Sequence, residues 1–346
     1  MFLSVTVGFF GIFRQHRFYL SINIFILLLF PIILLLLRQS DASPDADPYI
    51  FMFEAIKDFD DIFNVYHRDY FFSFVQFLMI KLGIPSDQFL YLFSILVLLI
   101  MIGGYRLLTD DRRTFLLSIA FFIMTSSFVF MTTNIIRQGL ALSLLMVGLG
   151  FFQKNAKRTS YLFFFATIFS HISSLAIILT LFFVRFFQRS KNINRLALLL
   201  MPFLTLISFS ALEIITDNFV RIDSLASIGY TNPITYVKVF LLYSFGWIFY
   251  FLGHRYNGFE NKNYYLIFSI YVLSLGIIFF FLPVLFIASR FIYYTSAMLP
   301  ILFAFAVYQK RSIFPSRIRY AASYLIAISY GIFTYTYEAV TSMLVT

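Results

Sequence analysis

A chain of 346 residues, 61% hydrophobic and 12% charged with a mean hydropathy of +0.87, is dissolved largely in lipid, which excludes a soluble globular enzyme. Its 50 Phe, 23 Tyr and single Trp, 21% of the chain, exclude disorder, because rings at that density need acyl chains or other helices to face. Zero cysteine removes disulfides, zinc thiolates, iron–sulfur clusters and thiol nucleophiles, and the net charge of +10 reads as membrane topology and not as a nucleic-acid surface.

The pattern predicts an all-α, polytopic integral membrane bundle, one transmembrane domain over residues 1–346. A helix needs about 20 apolar residues to cross roughly 30 Å of hydrocarbon. Phe18–Leu37 is the first such run; it follows Arg14 and Arg17 and is too long for the core of a cleaved signal peptide, so it stays as an anchor. An outer loop over residues 38–88 follows. It opens acidic (Asp41, Asp45, Asp47, Glu54, Asp58, Asp60, Asp61) and turns to Asp69-Tyr70-Phe71-Phe72 and an apolar run to Ile84. That run is too short to cross comfortably and predicts an amphipathic helix lying on the membrane surface.

Further spans are expected at Phe89–Leu108, Thr114–Met131, Gln138–Phe152, Leu196–Ile215, Val237–Gly253, Tyr264–Pro283, Phe291–Tyr308 and Tyr320–Tyr337, nine with the first. A second outer loop covers residues 216–236. The segment 161–187 is different. Lys154, Lys157 and Arg158 precede it, and Arg185, Arg189, Lys191 and Arg195 sit at and beyond its end. Basic loops prefer the cytoplasm, and a single crossing would export one cluster. Two half-helices folding back at Ser170-His171-Ile172-Ser173-Ser174, a re-entrant or broken helical hairpin, keep every basic cluster inside. The inner face then holds 18 Lys and Arg against 3 Asp and Glu, and the outer face 8 against 13, with a cytoplasmic N-terminus and an outer C-terminus.

Ionisable groups in or at a span are costly unless paired, hydrated or employed. Arg137 opens the fourth span on the outer side, and Asn134, Arg137, Gln138 and Ala141 fall at i, i+3, i+4 and i+7, one helical face. His171 occupies the expected hairpin tip. Arg290 begins a later span on the outer side, with Tyr293 and Tyr294 about one turn away. Two arginines and an imidazole on one outward-facing cavity suit a phosphorylated lipid: guanidinium offers paired donors to phosphate and stays charged, and histidine takes a proton near neutral pH. The set is compatible with glycosyl transfer from a lipid diphosphate. Each residue has a plainer alternative. Arg137 and Arg290 can snorkel, His171 can satisfy backbone carbonyls in a broken helix, and Tyr293 and Tyr294 can be interfacial aromatics. No GxxxxGK[ST] loop, HExxH or histidine pair at metal-ligand spacing appears, so neither an ATP-driven pump nor a metal site is expected.

Asn134 to Ser143 (NIIRQGLALS), a short basic turn (QKNAKR) and Phe169-Ser170-His171-Ile172-Ser173 together resemble the EpsG family of bacterial exopolysaccharide polymerases, related in role to Wzy-type O-antigen and capsule polymerases. Arg290-Phe291-Ile292-Tyr293-Tyr294 is similar to that family's Arg-x-x-Tyr stretch, and Asp47-Pro48-Tyr49 and Asp69-Tyr70-Phe71 resemble its first outer loop, where the family usually has Glu at the position of Asp69.

The resemblance implies a multi-pass protein of the bacterial cytoplasmic (inner) membrane with an outward-facing site. Its substrate would be an undecaprenyl-diphosphate-linked oligosaccharide, moved from its lipid onto the terminal sugar of an incoming repeat unit. It implies Arg137, Arg290 and His171 as catalytic residues and Asn134, Gln138, Asp47, Tyr49, Asp69, Tyr293 and Tyr294 as substrate-binding ones. Membrane lipid, a chain-length regulator and a flippase are the implied partners, with no nucleic acid, no nucleotide sugar, no cofactor and no metal. The competing readings are a flippase or transporter of lipid-linked oligosaccharide, a glycosyltransferase using polyprenyl-phosphate sugars, for which Asp45-Ala46-Asp47 could serve as the acidic motif, and a membrane acyltransferase.

Overall fold

The computed structural model describes residues 46–65, 68–109, 111–123, 125–187, 192–216, 233–255 and 258–308. It is all-helical over those residues. The first expected span, the last one and most of the loop 216–236 lie outside the described residues. Two compact units divide the rest, one holding the described residues up to Leu175 and one those from Ala176 onward.

The first unit begins with α1 (Ala46–Ala55), α2 (Asp61–Val65) and α3 (Tyr70–Lys81). Asp61 at the start of α2 fastens the turn before it, its carboxylate accepting from the backbone N–H of Asp58 at 2.9 Å and of Lys57 at 2.8 Å, and these bonds hold its carboxyl below the usual range. Helix α3 ends where Gly83 takes φ 75°, with Gly83 N–H donating to Ile80 and Ile84 N–H to Met79, a Schellman closure. Its buried side chains are Phe72, Ser73, Gln76 and Met79.

Then come α4 (Ser86–Leu108), α5 (Arg112–Ile123), α6 (Ser126–Thr133), α7 (Ile136–Gln153) and α8 (Lys157–Ser170). Thr114–Met131 is not one continuous span. Thr125 takes an extended conformation and its hydroxyl accepts from Phe128 N–H, an N-cap that ends one helix and starts the next. Helix α7 is the core of this unit, almost wholly enclosed along its length. It runs parallel to α4, with Gly104 against Met146 and Gly150 against Leu107. Helix α8 returns antiparallel after a turn in which Asn155 adopts φ 60°, and Ser160 donates to the Gly148 carbonyl at 2.8 Å. At Gly139 a Cβ would collide with the Met131 carbonyl oxygen, so only glycine lets α6 and α7 approach this closely. The orphan carbonyl of Thr132 at the end of α6 accepts the Ser94 hydroxyl of α4.

Helix α9 (Ser174–Phe187) leads into the second unit, which contains α10 (Asn192–Thr216), α11 (Pro233–Arg255), a 3-10 turn at Gly258–Glu260, α12 (Lys262–Phe280), α13 (Leu285–Ser296) and α14 (Leu299–Tyr308). Pro202 inside α10 has no N–H to give the carbonyl four residues back, that of Leu198. The Tyr243 hydroxyl of α11 donates to that same oxygen at 3.0 Å. Tyrosines of α12 repeat the device on α11: Tyr264 donates to the Phe249 carbonyl at 2.6 Å and Tyr271 to that of Leu242 at 2.5 Å. Without water to solvate backbone groups, such hydroxyls tie helix to helix.

Six helical segments among the described residues are long and apolar enough to cross a membrane: Ser86–Leu108, Ile136–Gln153, Asn192–Phe209, Thr235–Arg255, Lys262–Phe280 and Ile287–Val307, the last bent between α13 and α14. They coincide with six of the nine expected spans.

Two substitutions test this packing. Gly139→Ala should destabilise by about 1–3 kcal/mol through overpacking against Met131. Tyr243→Phe should cost about 1 kcal/mol by orphaning the Leu198 carbonyl. Denaturant unfolding of the reconstituted protein checks both, and an unchanged midpoint in either variant would refute the contact it removes.

Candidate functional site

Three segments far apart in sequence meet at one end of the first unit. Asp69 is the N-cap residue of α3, yet its side chain makes no capping bond. An aspartate there normally accepts from a backbone N–H two or three residues on. Its Oδ2 instead accepts from Arg137 Nη1 at 2.7 Å, a pair spanning 68 residues of chain. Arg137 sits in the first turn of α7, where the helix dipole disfavours a cation, so the carboxylate offsets an unfavourable placement. The guanidinium also lies over the Tyr49 ring of α1, 5.7 Å from its centroid.

The third member is His171. It terminates α8 in an extended conformation (φ −164°, ψ 117°), and the turn Ile172-Ser173 restarts the chain as α9 at Ser174. The break therefore falls on the expected residue, and it is fastened by the Ser174 hydroxyl donating to the Thr167 carbonyl at 3.0 Å. His171 Nδ1 stands 3.8 Å from the same Asp69 Oδ2, beyond hydrogen-bond reach. That nitrogen is buried and has no hydrogen-bond partner among the described residues.

Aromatic contacts hold the segments together. Tyr70, next to Asp69, meets Phe169, two residues before His171, at 6.0 Å. Tyr49 packs edge-on to Phe72 at 6.0 Å, which meets Phe93 of α4 at 5.1 Å. The side chains of Asp69 and His171 are 7% and 15% exposed and that of Arg137 is 32% exposed, so the arginine is the member that reaches outward.

Of the expected site residues, Tyr49, Asp69, Arg137 and His171 come together. Asp47 is exposed in the first turn of α1. Asn134 closes α6 as its C-cap while α7 begins only at Ile136, so Asn134 does not share one helical face with Arg137, Gln138 and Ala141. Gln138 is buried at 1% exposure. Arg290, Tyr293 and Tyr294 belong to the second unit, on α13, with Tyr294 fully buried and the other two half-buried. The pairing of Asp69 with Arg137 was not visible in the sequence, nor was buried Gln76, two turns beyond Asp69 on α3 with neither amide atom hydrogen-bonded among the described residues. The spacing of Asp69, Ser73 and Gln76, i, i+4 and i+7, is the signal that could have found it. Among the described residues no three His, Asp or Glu side chains gather as a metal ion would need.

A double-mutant cycle of Asp69→Asn and Arg137→Gln, read by thermal unfolding in lipid nanodiscs, should give a coupling of about 1–3 kcal/mol, above that of an exposed pair and below a fully buried one. A coupling near zero would show that the two do not interact.

A family model described as the EpsG family matches residues 21–344, nearly the whole chain. No curated protein and no solved structure matches significantly. The protein therefore belongs to the EpsG family, a family of Wzy-type polysaccharide polymerases.

Proposed function

We propose that this protein polymerises lipid-linked oligosaccharide repeat units, transferring a growing glycan from undecaprenyl diphosphate onto an incoming lipid-linked unit at the outer face of the cytoplasmic membrane. Family membership supports a membrane polysaccharide polymerase, and the apolar helices fit a multi-pass membrane protein. The observation that carries the finer reading is the partly exposed Arg137 guanidinium, anchored by Asp69 at the N-terminal end of α7 beside His171.

Such an end already favours an anion, and a guanidinium adds paired donors and full charge. In this reading Arg137 holds the donor diphosphate and offsets the charge that develops as the lipid diphosphate leaves, and Arg290 of the second unit is a further candidate phosphate contact. The acceptor sugar hydroxyl attacks the anomeric carbon of the growing glycan as the bond from that carbon to the diphosphate oxygen breaks. His171 accepts or directs the hydroxyl proton. Tyr49, Asn134, Gln138, Asp47, Asp69, Tyr293 and Tyr294 line or brace the substrate path. No nucleotide sugar enters, because the energy is stored in the glycosyl diphosphate.

The charge pattern supports the orientation. In the first unit the site end carries Arg68, Asp69, Asp87 and Arg137, and the opposite end carries Asp111 against Arg106, Arg112, Arg113, Lys154, Lys157 and Arg158. The positive-inside rule then turns the site outward. Helix α8 is about 21 Å long at 1.5 Å per residue, short of a full crossing, and its end at His171 suits the tip of a re-entrant segment. Helix α3, about 18 Å long, is too short to cross and suits a helix lying at the membrane surface, with Ser73 and Gln76 turned into the protein and Leu78 exposed.

The test is reconstitution with a defined undecaprenyl-diphosphate repeat unit as sole substrate. A ladder of longer lipid-linked glycans is expected, and Arg137→Ala or Arg290→Ala should reduce it by about 100-fold or more, leaving single repeats. Unchanged substrate with folded wild-type protein would overturn the polymerase reading and favour a flippase; full chain lengths in both variants would overturn the diphosphate clamp.

A further inference from the structure

We propose that Asp69 is a shared carboxylate that passes from Arg137 to His171 when Arg137 takes hold of a phosphate group, so that donor binding itself orients the base. This makes Asp69 a positioning residue, and it rests on the reading that Arg137 binds a diphosphate.

One oxygen serves both neighbours. Oδ2 of Asp69 is 2.7 Å from Arg137 Nη1 and 3.8 Å from His171 Nδ1. The first distance is a charge-assisted hydrogen bond and the second lies just beyond hydrogen-bond reach. His171 Nδ1 is meanwhile buried and without a partner among the described residues, an arrangement that folded proteins avoid unless the group is kept for a further contact. The carboxylate is also released from the usual duty of its position, since it makes no cap bond to α3.

The geometry decides which member moves. Arg137 is the longest and most exposed of the three, and its guanidinium leans on the Tyr49 ring without being enclosed. A diphosphate carries more charge than one carboxylate and matches the guanidinium fork in two places, so it draws Arg137 outward. Asp69, 7% exposed, would then be a buried carboxylate without its cation, and the nearest donor is His171. Closing that 3.8 Å gap puts the ring proton on Nδ1, donated to Oδ2, and turns the Nε2 lone pair away from the carboxylate toward an acceptor hydroxyl. No proton is gained or lost: the one N–H proton of the ring is fixed at Nδ1 and no longer shared between the two nitrogens. Without donor, His171 is loosely held and the acceptor hydroxyl meets no oriented base, which protects the lipid diphosphate bond from idle hydrolysis.

Full-length protein in lipid nanodiscs, labelled with 15N-histidine, tests this. The chain has four histidines, His16, His67, His171 and His254, and a His171→Gln variant assigns the signal. Inorganic pyrophosphate is the probe, with its binding read separately by 31P line width. Wild-type protein should show His171 Nδ1 becoming the protonated, hydrogen-bonded nitrogen as pyrophosphate saturates. Arg137→Gln should show that state without any pyrophosphate, because the competitor for Oδ2 is gone. Asp69→Asn should lose the shift.

Pyrophosphate that binds while His171 stays unmoved overturns the handover alone, as does an Arg137→Gln spectrum identical to unliganded wild type. Pyrophosphate that does not bind the wild type overturns the handover together with the diphosphate reading. If Asp69→Asn fails to fold, the Arg137→Gln spectrum decides by itself.

Discussion

The first unit depends on how closely other helices can approach α7. Gly139, Gly148 and Gly150 present no Cβ to Met131, Phe164 and Leu107, and the backbone of α6 and side chains of α8 and α4 fill the space a methyl would occupy. In lipid, where apolar surface gains nothing by leaving the solvent, this close van der Waals contact is what drives helix association. It also sets the chemistry. Gly139 follows Arg137 by two residues, so the contact that seats α6 on α7 fixes the first turn of α7, and with it the origin of the guanidinium that Asp69 holds. Packing density and site geometry are one constraint here.

A second constraint is that a helix end or a proline in hydrocarbon leaves carbonyls that water cannot reach. Ser94 answers the end of α6, the Tyr243 hydroxyl answers the gap made by Pro202, and Tyr264 and Tyr271 reach single carbonyls of α11. Three tyrosines of the second unit therefore have polar work inside the bundle. Asn194 donating to Ser269 at 3.0 Å and Thr205 donating to the Phe279 carbonyl at 3.0 Å extend the same logic between α10 and α12.

Much of the helical architecture was legible in the sequence because apolar run length is a direct physical requirement of the bilayer. Six expected spans have helical counterparts of span length. The break at His171 was legible too, from five consecutive residues of which four are polar. What escaped was capping and distance. Thr125-Ser126-Ser127 reads as a mildly polar patch in an apolar run, and only the Thr125 bond to Phe128 N–H shows it as a helix start. Asn134 fits the face of Arg137 arithmetically, but the chain leaves α6 there before α7 begins, and periodicity has no meaning across a helix boundary. The union of Asp69 with Arg137 joins residues 68 apart, and no local pattern encodes it.

The position of Asp69 lets the carboxylate take part in the handover proposed above without unfolding its own helix. Its charge is favoured by the N-terminal dipole of α3 whether or not Arg137 is engaged, and Tyr70 against Phe169 keeps the start of α3 beside the end of α8. The scaffold around the site is thus apolar and aromatic, and the polar members hang from it at helix ends: Asp69 at the start of α3, Arg137 at the start of α7, His171 at the end of α8. Helix ends are the places in a membrane bundle where side chains can change partners while the backbone ladder stays intact. A site assembled wholly from ends can therefore be rigid in frame and adjustable in contact, which suits the glycan transfer proposed above.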